Sequence, residues 1–174
     1  MSIIENFEQL NSLEEKLDFV KQLNKKSEFE QALYFYQILK KQFELQGNHD
    51  KVMDCLCGIC QNLGNLGLVK EIEPYLSTYK VYCEKYGDDL AKLKLNSLIG
   101  YISNSIEDYE TTVDYYEAAL AIALKLEDIP RTIYLLINLQ SVYLDLQQID
   151  QALKCSDQLK QISKEDRNAF STLS

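Results

Sequence analysis

A recurrence of forty residues constrains this chain more than any other feature. The turn-forming pairs Gly47-Asn48, Gly87-Asp88 and Glu127-Asp128 stand forty apart. Hydrophobic columns keep the same register: Phe19, Ile59, Ile99 and Leu139; Phe29, Val69, Tyr109 and Ile149; Leu39, Tyr79, Ala119 and Leu159. The columns from Ala32 and Tyr36 run through Ile72, Thr112, Ala152 and through Leu76, Tyr116, Ser156. One such match is accidental; several in one register mark a repeated unit. A unit of this size cannot bury its apolar stripe alone, so neighbours must stack on it.

The repeated element is helical. Six Gly and two Pro leave too few breaks for an all-β chain, and 46% hydrophobic residues suffice for a continuous core. Leu13, Leu17 and Val20 share one helical face, as do Leu136, Leu139 and Tyr143. The pattern predicts helices near 12–24, 27–46, 50–63, 68–86, 89–103, 107–126, 129–145 and 148–163. Ser12-x-x-Glu15 and Ser27-x-x-Glu30 have the form of capping boxes, in which hydroxyl and carboxylate satisfy free first-turn amides. Asn48, Asp88 and Asp128 are N-cap candidates for the same reason. Pro130 suits a first turn. Pro74 falls inside a predicted helix and predicts a kink or a delayed start. The expected fold is all-α, a right-handed α-solenoid of about four helix–turn–helix repeats, near 11–46, 50–86, 89–126 and 129–166, as one array over 1–174.

At these columns the sequence resembles the tetratricopeptide-repeat (TPR) family. Leu136-Ile137-Asn138-Leu139-Gln140-Ser141-Val142-Tyr143, followed by Gln151-Ala152-Leu153, is similar to the family's helix A and the alanine of its helix B. Ile99-Gly100, Tyr116-Glu117-Ala118-Ala119-Leu120 and the turn glycine Gly67 add to the likeness, with Cys60 and Gly100 as the small residues where two helices cross. Gln140 and Ser103 depart from it, and the unit is forty residues rather than thirty-four. A HEAT-like repeat is the rival; the glycine turn and small-residue crossing favour TPR. Units this long resemble the arrays of bacterial signalling proteins. The resemblance implies a binding module whose helix A lines a concave surface. Residue by residue, that surface takes Asp54, Cys57 and Gln61; Lys94, Ser97, Tyr101 and Asn104; and Tyr134, Asn138, Ser141 and Asp145. Asn138 matches an asparagine that, in peptide-binding members, hydrogen-bonds the ligand backbone, a role suited to a carboxamide. Tyr101 and Tyr134 are candidate amphipathic contacts.

The remaining chemistry argues against catalysis. Net charge is −9, and no Lys/Arg cluster supplies a face for nucleic acid or an anionic membrane. Apolar stretches such as Ala118–Leu124 are too short to span a bilayer, and Met1–Leu10 lacks a basic leader segment. Five cysteines on predicted helices fit reduced thiols in a cytoplasm. Cys55, Cys57 and Cys60 have ligand-like spacing, but no second ligand pair follows, so they read as small buried hydrophobes. His49, the single histidine, reads as a solvated turn residue. Gly64-Asn65-Leu66-Gly67 lacks the phosphate-cradling pattern. No cofactor or metal is expected, and no enzyme. Partners are expected to be protein or peptide, with a homodimer through Ile149, Leu153, Leu159 and Ile162 of the last repeat as a further expectation. The register reaches Arg167-Asn168, where residues 167–174 read as the start of another repeat. This predicts the N-terminal piece of a longer protein, and the resemblance implies that the piece is the sensory or docking part of a bacterial signalling protein. The alternative, on the resemblance alone, is a regulatory dimerisation input for a diguanylate cyclase (GGDEF-type) or similar output enzyme, without a ligand in trans.

Overall fold

The computed structural model describes residues 3–171, with side chains through residue 164. It consists of α1 (Ile3–Glu8), α2 (Leu13–Lys25), α3 (Phe29–Leu45), α4 (His49–Asn65), a 3₁₀ turn (Val69–Glu71), α5 (Glu73–Tyr86), α6 (Asp89–Ser105), α7 (Tyr109–Lys125), α8 (Ile129–Asp145) and α9 (Ile149–Ser171). No strand occurs among the described residues. The chain is an all-α helical repeat of the α-solenoid type. It divides into two compact units, Met1–Ala91 and Lys92–Ser174. In the first, α2 packs on α3, α3 on α4 and α4 on α5; in the second, α7 packs on α8 and α8 on α9. Among the described residues no helix is long and apolar enough to cross a membrane.

The regularity is finer than the forty-residue register. Ser27, Gly47, Gly67, Glu107, Glu127 and Gln147 all have positive φ, between 53° and 73°. Each is followed by a residue whose N–H reaches back to the fifth carbonyl before it. Asn48 N–H donates to Phe43 O at 3.0 Å, Asp128 N–H to Ala123 O at 3.0 Å, and Gln148 N–H to Tyr143 O at 2.7 Å. This is the Schellman closure, which satisfies the last carbonyls of a helix with one left-handed residue. The residue after it starts the next helix. Asn48, Asp108 and Asp128 accept from the amides of Lys51, Thr111 and Arg131. One turn repeated every twenty residues therefore joins helices of 17 residues such as α3, α4, α7 and α8.

The turn explains where expectation and structure part. Ser12 forms its capping box with Glu15. Ser27 does not: it is the left-handed residue at φ 60°, and Glu28 stands at the cap without a side-chain bond. Its place in the twenty-residue register outranks its value as a cap. Pro74 delays a helix as expected: the 3₁₀ turn precedes α5, and Pro74 lies in the first turn, where no amide is needed. Gly87 is the exception among the turns, extended at φ −79° and ψ 138°, with its N–H on Cys83 O. α9 runs unbroken through Arg167-Asn168, against the expected turn there. Ser163, Lys164, Glu165 and Asp166 continue the helix, and neither Gly nor Pro interrupts them. Residues 172–174 of that expected repeat lie outside the described residues.

Candidate partner-binding surface

In the second unit, α8 is apolar nearly all round, which signals two contact faces rather than one. Leu135, Leu136, Leu139 and Tyr143 enter the core with Leu93, Tyr116 and Ala119. The opposite stripe stays open. Tyr134, Ile137 and Leu144 are 47%, 54% and 49% exposed, with Ser141 and Asp145 exposed between and beside them. Positions 134, 137, 141 and 144 fall on one side of a 3.6-residue helix. Ile137 and Leu144 were missed among the expected groove residues. Their signal was present in the spacing from Tyr134, but the family pattern directed attention to Asn138. Asn138 is half-buried and donates Nδ2–H to Tyr134 O of its own helix at 2.7 Å. One of its two amide protons is thereby committed. Forty residues earlier the same column holds Leu98, which is buried.

On α6, Lys94, Ser97, Tyr101 and Asn104 are all half-buried. Ser97 donates its hydroxyl to Leu93 O at 2.8 Å. Tyr101 and Tyr134 are brought into electrostatic range of each other, and Tyr116 of α7 joins them, its hydroxyl bonded to that of Tyr134. Burial pushes the Tyr116 phenol well above its ordinary range, and the neighbouring Tyr134 adds to the shift. Tyr101 is raised by the same two causes in the same order. Tyr116 reaches this place because Gly100 lets α7 approach α6: a Cβ on Gly100 would meet the Tyr116 ring at 2.5 Å. Tyr101 on α6 and Tyr134 on α8 offer donors, acceptors and flat apolar faces together, with the buried Tyr116 packed behind Gly100.

The expected contacts of the first unit are Asp54, Cys57 and Gln61 on α4. Asp54 is half-buried and pairs with Lys51 at 3.7 Å; Cys57 is half-buried and Gln61 exposed. Cys55 and Cys60 are buried, and burial pushes both thiols up to about 12. Such thiols are poor nucleophiles and poor metal ligands at neutral pH. Among the described residues no group of three or more His, Cys, Asp or Glu side chains could hold a metal ion. His49 is not the solvated turn residue expected. It opens α4, stacks on Tyr86 at 3.7 Å and 11°, and leans on Tyr82 at 5.8 Å. Its Nδ1 is buried without a hydrogen-bond partner. The aromatic positions of α5 capture the ring, which no local pattern around His49 foretells.

The expected dimer face also divides. Ile149 and Leu153 are exposed, whereas Leu159 and Ile162 pack against the second unit's core. At 100° per residue the two pairs lie on different sides of α9, so the four do not form one face.

No family model matches the chain, and no curated protein does. Among solved structures, the chain is similar to the crystal structure of BtubC (BKLC) from P. vanneervenii. The TM-score is 0.73 at 18% identity, over 91% of this chain and 67% of that one. At this identity the likeness concerns the fold alone.

Proposed function

We propose that this chain is a TPR-type, non-catalytic binding module, and that its second unit grips a peptide or protein segment along α6 and α8. The observation that carries the reading is the open stripe of Tyr134, Ile137 and Leu144 interleaved with Ser141 and Asp145. A helix buried on one side that keeps three large apolar residues in water on the other is suited to a second contact. The phenols of Tyr101 and Tyr134 and the carboxamide of Asn138 supply polar partners for a peptide backbone. The net charge of −9 disfavours nucleic acid. Five cysteines without a disulfide suit a cytoplasmic protein. On the family resemblance, the module serves as a sensory or docking part of a bacterial signalling protein.

A displayed peptide library tests this directly. Selection on the native chain is expected to enrich binders that lose about ten-fold or more in affinity on Ile137→Asp or Leu144→Asp, since a charge would be forced into an apolar contact. Asn138→Ala should weaken the same binders less. Enriched peptides that bind all these variants equally would sink the assignment of this surface. A second reading, a regulatory dimerisation input for a GGDEF-type or similar output enzyme, is favoured by the exposure of Ile149 and Leu153, at 54% and 56%. Light scattering separates the two: a dimer abolished by Leu153→Asp supports the second, a strict monomer at high concentration opposes it.

A further inference from the structure

At the start of the first unit, α1 is six residues long and carries one buried side chain, Phe7. A helix this short does not hold itself together in water. Its position follows from what Phe7 touches. The Phe7 ring stacks on Phe35 at 4.2 Å and 23° and meets Phe19 at 6.2 Å. Lys16 Nζ stands 5.2 Å from the ring centroid, a cation–π contact. Phe35 is met edge-on by Phe19 at 6.2 Å and by Tyr34 at 5.2 Å. The side chains that line the slot thus belong to α2 and α3. The rest of the occupant faces water: Ile4, Glu5, Asn6 and Glu8 are exposed. A turn follows, closed by Gln9 N–H on Glu5 O and Leu10 N–H on Phe7 O. The chain is next fixed at the capping box of Ser12.

We propose that the slot formed by Lys16, Phe19 and Phe35 is a docking site for a short helix carrying one phenylalanine. α1 is its resident occupant, and the N-terminal segment of a second copy takes its place by exchange. The segment known to fit is α1 itself, and every copy brings one. Exchange replaces each contact by an identical one, so it costs little beyond opening the turn at Gln9–Asn11. The chemistry of recognition is explicit: an aromatic face for Phe35, an edge for Phe19, and an ammonium at Lys16 over the ring.

A fluorescently labelled peptide of residues 1–12, added to the full chain, tests the slot. The Phe7→Ala chain, whose resident has lost its anchor, is expected to bind the peptide about ten-fold or more tighter than the native chain, because the native slot is already occupied. The same peptide with Phe7→Ala should bind neither. Equal binding to both chains, or none to either while the Phe7→Ala chain keeps its helical circular dichroism, overturns the proposal. If that variant does not fold, hydrogen exchange on the native chain decides. Amides of α1 should exchange at least about a hundred-fold faster than those of α3. Protection of α1 equal to that of α3 would make it a fixed part of the fold and defeat the exchange.

Discussion

Two glycines separate two physical reasons for having no side chain. Gly100 is right-handed helix with no room: a Cβ there meets Tyr116 Cδ1 at 2.5 Å and Cε1 at 2.6 Å. Gly47 has open space but a φ of +66°. Gly100→Ala must therefore push the Tyr116 ring from a buried site, at an expected cost of about 1–3 kcal/mol from overpacking. Gly47→Ala meets nothing and should cost only about 1 kcal/mol of left-handed strain. Urea unfolding of the two variants checks the order; Gly47→Ala as the worse of the two would refute the crossing argument. Gly58 belongs with Gly100, since its Cβ would meet Tyr36 at 2.5 Å. The crossing at Gly100 was legible in the sequence because a tyrosine and a glycine recur in family-like places. That at Gly58 was not, because its column holds Leu98 in the next repeat and gives no hint of small size.

Helix ends carry the next level of organisation, and there the expectations were most nearly right and least complete. Asn48, Asp88 and Asp128 were legible as caps from side-chain chemistry alone, and Ala91 N–H does donate to Asp88 at 2.8 Å. The left-handed residues that close the turns were legible only at Gly47 and Gly67, because the other four of the six are Ser, Glu or Gln, residues with no preference for positive φ. This makes a prediction at Glu127-Asp128. Replacing Asp128 by Ala removes the bond to Arg131 N–H at 3.0 Å and the ion pair to the Arg131 guanidinium; it should cost about 1 kcal/mol, and Asn much less. Replacing Glu127 by Gly relieves φ +53° at the expense of a looser unfolded chain, for a net gain of about 0.5 kcal/mol. Thermal unfolding of the three variants should rank Glu127→Gly above native and Asp128→Ala below it. If Asp128→Asn falls as far as Asp128→Ala, the ion pair and not the cap holds this turn. On α8 the buried stripe of Leu136, Leu139 and Tyr143 was legible in the spacing, whereas the exposed Ile137 and Leu144 opposite it were not among the expected residues.

Across the whole chain, the forty-residue register was legible because two consecutive helices bury different faces and so repeat as a pair. The twenty-residue turn beneath it is carried by backbone geometry, to which many side chains conform, and so left little trace in the residues. What that repeated packing does to ionisable groups leads to a prediction for the entire fold. Both units bury phenols and thiols as neutral groups: Tyr36, Tyr79, Cys55 and Cys60 in the first, Tyr116, Tyr143 and Cys155 in the second. Burial is the largest cause of a raised pKa at each of them. A thiol held at about 12 in the folded chain against 9.0 when unfolded keeps its proton while the unfolded state gives one up. Its stabilising contribution is complete below pH 9.0 and is lost as pH rises toward 12. The loss is up to about 1.4 kcal/mol per thiol for each pH unit in that window, and the phenols add theirs above their ordinary value of 10.0. A net charge of −9 at pH 7 grows more negative over the same range and adds self-repulsion. The melting temperature should therefore be level near neutrality and fall steeply once pH passes about 9. Phenolate absorbance for the buried tyrosines should rise together with the loss of helical signal rather than before it. Cys60→Ala should flatten the slope between pH 9.0 and about 12 even though it lowers stability at neutral pH. A melting temperature unchanged well into that window, or phenols that ionise while the helices persist, would mean that water reaches these buried groups in the folded chain.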